Sequence, residues 1–214
     1  MQFEKNAGRS LILSTLLMVI TMVLHPTGGN FEHLLKITSI AIIAHSIAII
    51  SMPFAAVGFW GLTKKLGAAN FFSISAFSII LFGLIAVMLA ATMNGLVLPI
   101  YILKYKDASP EIIESIKPIL KYNTSLNHAF DYIYMVAFCL SMLFWSLIIL
   151  KTKRLSSWIG YLGIALFILI ISLFVSGFSL TNLDGFRLFV LGSVLWIVSA
   201  GILLIRSGEH IDFR

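Results

Sequence analysis

The sequence predicts an all-α, polytopic membrane protein: a six-helix transmembrane bundle with a short outer amphipathic helix. Of its 214 residues, 59% are hydrophobic and 11% are charged, and the mean hydropathy is +1.02. A soluble domain carries about 25% charged residues, so most of the surface of this chain cannot face water. The apolar residues are also gathered into long runs, and the short connections between several of these runs are basic.

The apolar runs define six predicted membrane spans. A spanning helix needs about 20 mostly apolar residues. Six segments meet this requirement and form one predicted domain over residues 1–214, with spans at about 8–26, 37–61, 70–103, 126–150, 156–180 and 186–206. Lys5 and Arg9 precede the first span as in a signal peptide, but no small-x-small cleavage pattern follows, so we expect a retained helix. The third span is long, and we expect it to tilt or to end early near Pro99.

The connection between the third and fourth spans, residues 104–125, carries a helix signal of its own. Ser109 is a suitable N-cap, Pro110 suits the first helical position, and Glu111 is favourable in the first turn. An apolar stripe follows, formed by Ile112, Ile113, Ile116 and Ile119. We expect a short helix that lies on the outer membrane surface or caps the bundle. A solvated connector with one helical turn is the alternative.

The distribution of lysine and arginine indicates the orientation. Nine of these residues fall on the side of the two termini and six on the other side. The short connections TKKLG and KTKRLSS contain basic residues and no acids. Basic loops are retained in the cytoplasm, so both termini, including the tail with His210 and Arg214, are predicted to be cytoplasmic. The net charge of +6 is explained by this topology, and we expect no nucleic-acid partner.

The sequence KRLSSWIGYLGI resembles a hairpin of uncharacterised bacterial six-helix integral membrane proteins of unknown function. The resemblance is carried by Arg154, Trp158, Gly160, Leu162 and Gly163. It implies the same six-helix plan and a location in the bacterial inner (plasma) membrane. It implies no activity, cofactor or partner.

Polar residues collect in the predicted outer half of the bundle. Asp131 is the only acid inside a predicted span. A carboxylate at the centre of a span costs about 2.5–3.5 kcal/mol, so Asp131 is expected to face the protein interior and to accept hydrogen bonds from His128 or His45, or to bind a metal beside them. Asn127 and His128 precede Asp131 by four and three residues and share its helix face. His25 ends the first span and His45 lies about eight residues into the second.

Two helix faces bring further polar residues to the same region. Thr38 and His45 lie on one face of the second helix. The third helix carries a stripe of small residues that ends in an amide: Gly83, Ala86, Ala90 and Asn94. Small residues allow helices to approach closely. We therefore expect this stripe to pack against the face that carries His45 and to place Asn94 beside that histidine.

These residues predict an outward-facing pocket that binds a metal ion, a haem or a small ligand. Imidazole and carboxylate groups suit transition metals, and histidines are axial haem ligands. The candidate metal ligands are His25, His45, His128 and Asp131; the candidate ligand-binding residues are Thr38, Asn94 and Asn127. The expected difference in depth between His25 and His45 argues against all four candidates binding one ion.

Three other functions are compatible with the same residues. A transporter or receptor would use Asp131 and His45 as a protonatable pair. An intramembrane hydrolase has little support, because Ser46 is adjacent to His45 and adjacent residues on a helix do not face each other. A structural or accessory protein would use the polar groups only to pack its helices. The predicted partners are the lipid bilayer, a small-molecule ligand and a second copy of the chain.

Overall fold

The structure, a computed structural model, describes residues 2–207 apart from the side chain of Leu183. Within these residues the chain forms helices and no strand, which confirms the all-α prediction. The elements are α1 (Gln2–Leu24), α2 (Phe31–Gly67), α3 (Phe71–Thr92), a π-helical turn (Met93–Val97), α4 (Leu98–Leu103), α5 (Pro110–Thr152), α6 (Ser157–Val175) and α7 (Leu183–Ser207). The predicted tail with His210 and Arg214 lies outside the described residues.

Six helical stretches of the described chain are long and apolar enough to cross a membrane, which confirms the six predicted spans. One of them is the continuous stretch Phe71–Leu103, which comprises α3, the π-helical turn and α4. The protein is therefore a multi-pass membrane protein. Successive spans alternate in direction, and the two ends of the bundle are named here by what they carry. The basic end carries the turns at 68–70 and 153–156, and the cavity end carries the connections at 25–30, 104–109 and 176–182.

Two helices are much longer than the apolar part of a membrane is thick. α2 has 37 residues and α5 has 43, which correspond to about 55 and 65 Å against a hydrocarbon thickness of about 30 Å. The predicted outer helix is present, but it forms the first turns of α5 and is not a separate element. Pro118 lies inside α5, and no glycine or proline follows it before the span. Leaving the apolar region therefore does not end the helix.

The third span continues past Pro99, contrary to one expectation, and its geometry changes just before that residue. Residues Met93–Val97 form a π-helical turn. A proline ring in a regular helix collides with the carbonyl group four residues earlier, which is that of Gly95 here. The wider turn relieves this conflict, as π-bulges do inside other helices. The helix then continues as far as Leu103.

An aromatic stack fills the interior towards the basic end. The indole of Trp145 lies between Phe59 and Trp196, with ring centroids 5.1 and 6.0 Å away. Its Nε1–H donates to Thr63 Oγ1 at 3.3 Å, and Trp196 Nε1–H donates to the Ile159 carbonyl oxygen at 3.2 Å. These contacts join α2, α5, α6 and α7. The interior is therefore closed on this side, and the cavity described below lies on the other.

Gly83 is a contact point between α3 and α5, and this corrects the prediction that Gly83 packs on α2. A Cβ atom at Gly83 would lie 2.7 Å from the Cβ of Ala137. Nearby, Ser141 Oγ donates to the Ala76 carbonyl oxygen at 2.8 Å. At Gly83 the third helix therefore contacts α5, whereas the spacing of the stripe indicated α2.

Replacing Gly83 with leucine should lower the stability of the bundle. The new side chain has no space beside Ala137, and overpacking of this kind typically costs about 1–3 kcal/mol. Phe82→Leu on the same helix is the matched control, because Phe82 is 72% exposed to the predicted lipid surface. Thermal unfolding in detergent measures both variants. Equal melting temperatures for the two would contradict the close α3–α5 contact.

Candidate functional site

A partly open cavity of about 600 Å³ lies at the cavity end of the bundle. Its walls come from α1 to α5, from α7 and from the connection at 25–30. All seven polar residues selected from the sequence line it: His25, Thr38, His45, Asn94, Asn127, His128 and Asp131. Its apolar lining includes Met18, Met22, Met52, Val87, Phe186 and Val190. Ligand pockets commonly have volumes of about 300–1,000 Å³ and this mixture of surfaces.

The connection between α1 and α2 forms one wall of the cavity. α2 begins at Phe31, 14 residues before His45, so its first turns extend about 21 Å beyond that histidine. His33 Nε2–H donates to the Thr27 carbonyl oxygen at 3.1 Å, and Asn30 Oδ1 accepts the backbone N–H of His33 at 2.9 Å. These bonds hold the connection against α2.

His25 and His45 form a pair of neighbouring imidazoles. Their ring centroids are 5.0 Å apart and their planes are inclined at 57°. The expected difference in depth between them is therefore wrong. It assumed that both helices reach the same level, whereas α1 ends at Leu24 and α2 starts far beyond that level. Thr21 Oγ1 donates to the Ala44 carbonyl oxygen at 3.2 Å, so the end of α1 lies opposite the middle of α2 and His25 comes close to His45.

Both imidazoles are held in one tautomer by backbone carbonyl groups. His25 Nδ1 lies 3.1 Å from the Pro26 carbonyl oxygen, and His45 Nδ1 lies 2.8 Å from that of Ala41. A carbonyl oxygen can only accept, so each Nδ1 carries the proton, and Nε2 of a neutral ring is left as an acceptor.

Asp131 is 8% exposed and lines the cavity, as its position in the sequence predicts. Its partner differs from the expected one. Asp131 Oδ2 accepts from Asn127 Nδ2 at 2.8 Å, and among the described residues it has no hydrogen bond to His45 or His128. Asn127 lies one turn earlier on the same helix, and a bond at this spacing requires no particular approach of another helix. The Asn127 amide therefore satisfies part of the hydrogen-bonding capacity of the Asp131 carboxylate.

Asn94 also has a different partner from the one expected. Its Oδ1 accepts from Asn123 Nδ2 at 2.7 Å, and the predicted pair with His45 is not formed. Sequence analysis missed Asn123 because residues 104–125 were assigned to a connection. The available signal was its spacing, since 123, 127 and 131 follow one face of a helix at intervals of four. This bond links the π-helical turn to the part of α5 that lines the cavity.

Gly95 sets the position of His45. A Cβ atom at Gly95 would overlap the Cβ and Cγ of the histidine, so the imidazole packs directly on the backbone of the π-helical turn. A small residue of the third span therefore packs against His45, as predicted. That residue is Gly95, which was not part of the predicted stripe. No periodic pattern in the sequence singles out Gly95.

The four predicted metal ligands share the cavity, but they do not form a compact metal centre. Among residues 2–207, no group of three or more His, Cys, Asp or Glu side chains is placed to hold a metal ion. Asp131 is bonded to an amide, and the two close histidines provide only two ligand atoms. Metal or haem binding by His25, His45, His128 and Asp131 stays a prediction.

Compared with models of protein families, with curated proteins and with solved structures, the chain finds no match. Any function assigned to the cavity therefore depends on its own chemistry: two imidazoles, a carboxylate, several amides and a surrounding apolar surface. Such a set of groups accepts hydrogen bonds from a bound molecule more readily than it donates them.

Proposed function

We propose that this protein binds a small amphipathic molecule in the cavity. A hydrogen-bond-donating group of that molecule faces the polar lining, and its apolar part lies along the methionines and Val87. The observation that carries the proposal is the convergence of seven polar side chains from α2, α5, the π-helical turn and the connection at 25–30 on one cavity of about 600 Å³. Recognition sites commonly combine a largely apolar wall with a few convergent polar groups that set orientation.

The polar lining determines which group of the ligand it would accept. With both Nδ1 atoms bonded to backbone carbonyl groups, the Nε2 atoms of His25 and His45 are acceptors in the neutral rings. The carboxylate of Asp131 accepts one bond from Asn127 and has further lone pairs available. An amine or hydroxyl group satisfies these acceptors, and a buried acceptor without a partner costs about 1–3 kcal/mol.

A metal ion is the second candidate, and the geometry of the histidine pair favours it. Histidines that bind metals usually donate their other ring nitrogen to a carbonyl or carboxylate group, as both histidines do here. Ring centroids 5.0 Å apart suit two imidazoles bound to one ion. Since the described residues supply no third close ligand, a bound molecule or water would complete the coordination.

The two remaining alternatives have less support. Two opposite axial imidazoles on a haem iron would have ring centres about 6 Å apart, because each metal–nitrogen bond is about 2 Å and each nitrogen lies about 1 Å from its ring centre. The ring centres of His25 and His45 are only 5.0 Å apart. A transporter or receptor based on a His–Asp proton pair lacks its central contact, because among the described residues no hydrogen bond joins Asp131 to His45. A purely structural role stays open to test, because each polar side chain of the cavity could serve only to pack helices.

Purified protein identifies the occupant directly. We expect native mass spectrometry to detect one small molecule per chain, and we expect that molecule to be lost in His25→Leu. Elemental analysis and a visible spectrum of the same sample separate this result from a stoichiometric metal or a haem. If the sample contains neither a molecule nor a metal, and no compound of a chemically diverse library raises the melting temperature, the proposal fails and the structural role is favoured.

We further propose that the cavity end faces the outside of a bacterial inner membrane and that both termini are cytoplasmic. The basic turns at the other end support this orientation. A reporter that is active only in the cytoplasm should be active after Arg214 or in the turn at 68–70, and silent in the connection at 104–109. These sites avoid interrupting α5. Activity at 104–109 with silence at the other two would reverse the orientation.

A further inference from the structure

A second concave surface, of about 470 Å³, lies at the basic end, far from the cavity described above. It is formed where the turn between α5 and α6 meets the last turn of α7. The polar residues that line it are Lys153, Arg154, Ser156, Ser157, Arg206 and Ser207. Two leucines, Leu155 and Leu203, contribute its apolar wall.

Separate backbone features bring the three cationic side chains together. Lys153 ends α5 with φ of 54°, and this left-handed residue turns the chain sharply towards α6. Arg154 follows, and its guanidinium lies over the end of α2, where a Cβ atom at Gly67 would be 2.9 Å from Nη1. Arg206 comes from the last turn of α7. The bond from Trp196 Nε1 to the Ile159 carbonyl oxygen holds the start of α6 against α7.

The charge of this region is strongly positive and is not balanced within the described chain. Among residues 2–207, the basic end carries one acid, Glu4, and eight cationic side chains. The cations are Lys5, Arg9, Lys64, Lys65, Lys151, Lys153, Arg154 and Arg206. Glu4 is paired with Lys65 at 3.4 Å. Within that range, none of the three cations of the concave surface has a carboxylate partner, so an external anion would be attracted to it.

The start of α6 adds hydrogen-bond donors on the same surface. Ser156 is the N-cap, and its hydroxyl makes no capping bond. The hydroxyls of Ser156 and Ser157, together with the first N–H groups of α6, are therefore available to an anion, and the helix dipole favours negative charge at this point. Two guanidinium groups, an ammonium group and two hydroxyls match the several oxygens of a phosphate better than a single carboxylate.

The depth of the surface agrees with the level of lipid headgroups. Trp158 is 49% exposed, begins the apolar part of α6 and occupies the position of an interfacial anchor. Basic pockets between transmembrane helices near the membrane surface bind the headgroups of anionic lipids. Basic residues that only set topology do not need to converge on a concavity, whereas these three come from two different helix ends.

We propose that this concave surface binds a phosphate group, supplied either by the headgroup of an anionic phospholipid or by a free phosphate. The guanidinium groups of Arg154 and Arg206 hold the phosphate oxygens, and Lys153 and the two serines complete the site. This site is separate from the ligand cavity, and its proposal does not depend on the function of that cavity.

Native mass spectrometry of the full chain with phosphatidylglycerol and phosphatidylcholine tests the proposal, alongside the shift in melting temperature caused by inorganic phosphate. The test variant is Arg154→Gln/Arg206→Gln. The control Lys64→Gln/Lys151→Gln removes the same charge at the same end from residues that do not line the surface. Circular dichroism verifies folding, and Arg206→Gln alone serves if the double variant does not fold.

We expect wild type and control to bind phosphatidylglycerol more tightly than phosphatidylcholine. The test variant should bind phosphatidylglycerol about tenfold more weakly than wild type, or more weakly still. This result identifies a lipid headgroup as the source. Stabilisation of wild type by inorganic phosphate, lost in the test variant and without a preference for phosphatidylglycerol, identifies a free phosphate. Equal weakening in test variant and control would reduce the effect to net charge and overturn the site, as would no binding of either probe.

Discussion

Replacing Asp131 with asparagine should remove most ligand binding and leave the bundle folded. Asparagine has the same shape and preserves a bond with Asn127, but it carries no charge and has one acceptor oxygen fewer. Hydrogen bonds to charged groups contribute about 1.5–3 kcal/mol, so we expect affinity to fall by about ten- to a hundredfold. The change in stability should be small, because the only described partner of the carboxylate is the side-chain amide of Asn127, one turn earlier on the same helix.

Asp107→Asn is the matched control for this experiment. Asp107 lies in the connection at 104–109, does not line the cavity and has the same chemistry. Affinity is measured by calorimetry or by ligand-dependent melting once the occupant is known. Asp131→Leu completes the set: a buried polar group replaced by a well-packed apolar one is often neutral or stabilising. Full ligand affinity in both Asp131 variants would exclude a binding role for the carboxylate.

Replacing Gly95 with alanine should disrupt both the fold and the cavity, although it adds a single methyl group. That methyl group would overlap His45, so the π-helical turn and α2 must separate. Overpacking in a close-packed interior costs about 1–3 kcal/mol. The displaced imidazole would also leave its position 5.0 Å from His25. We expect a lower melting temperature together with a loss of ligand or metal binding.

Gly192→Ala is the control that isolates the collision. Gly192 also lies inside a helix, but a Cβ atom there meets only Leu166 Cδ2, at 3.4 Å. Removing a glycine from a helix interior usually adds about 0.5–1 kcal/mol of stability, so this variant should melt at the same temperature as wild type or higher. A Gly95→Ala protein as stable as Gly192→Ala would mean that His45 does not pack on the π-helical turn.

At the cavity, sequence analysis failed to predict the hydrogen-bond partners of the polar residues, although it identified residues that line the cavity. Asp131, Asn94 and His45 were correctly predicted to line one cavity, yet each has a partner other than the predicted one. A polar group in a span must face the interior, and that requirement can be read from one position at a time. Its partner depends on the rotation and height of a second helix, which follow from packing over the whole interface.

The length of α5 illustrates a related failure. Hydropathy marks where the chain enters the membrane, and the fourth span was predicted to begin there, at about residue 126. Backbone hydrogen bonds within a helix do not require an apolar surrounding, so α5 continues from Pro110 through the polar stretch that contains Asn123. The same confusion of a membrane boundary with a helix boundary placed His25 and His45 at different depths.

The sequence alone determined the class of the protein, the number of its spans and the residues that avoid lipid, because a bilayer imposes its requirements on composition segment by segment. Only the tertiary structure decided that His25 meets His45, that Asn123 bonds Asn94, and that Gly95 provides the surface on which His45 packs. These contacts depend on small differences in helix length and rotation. In a close-packed interior such differences are fixed by the fit of all neighbouring side chains together, and no local pattern records them.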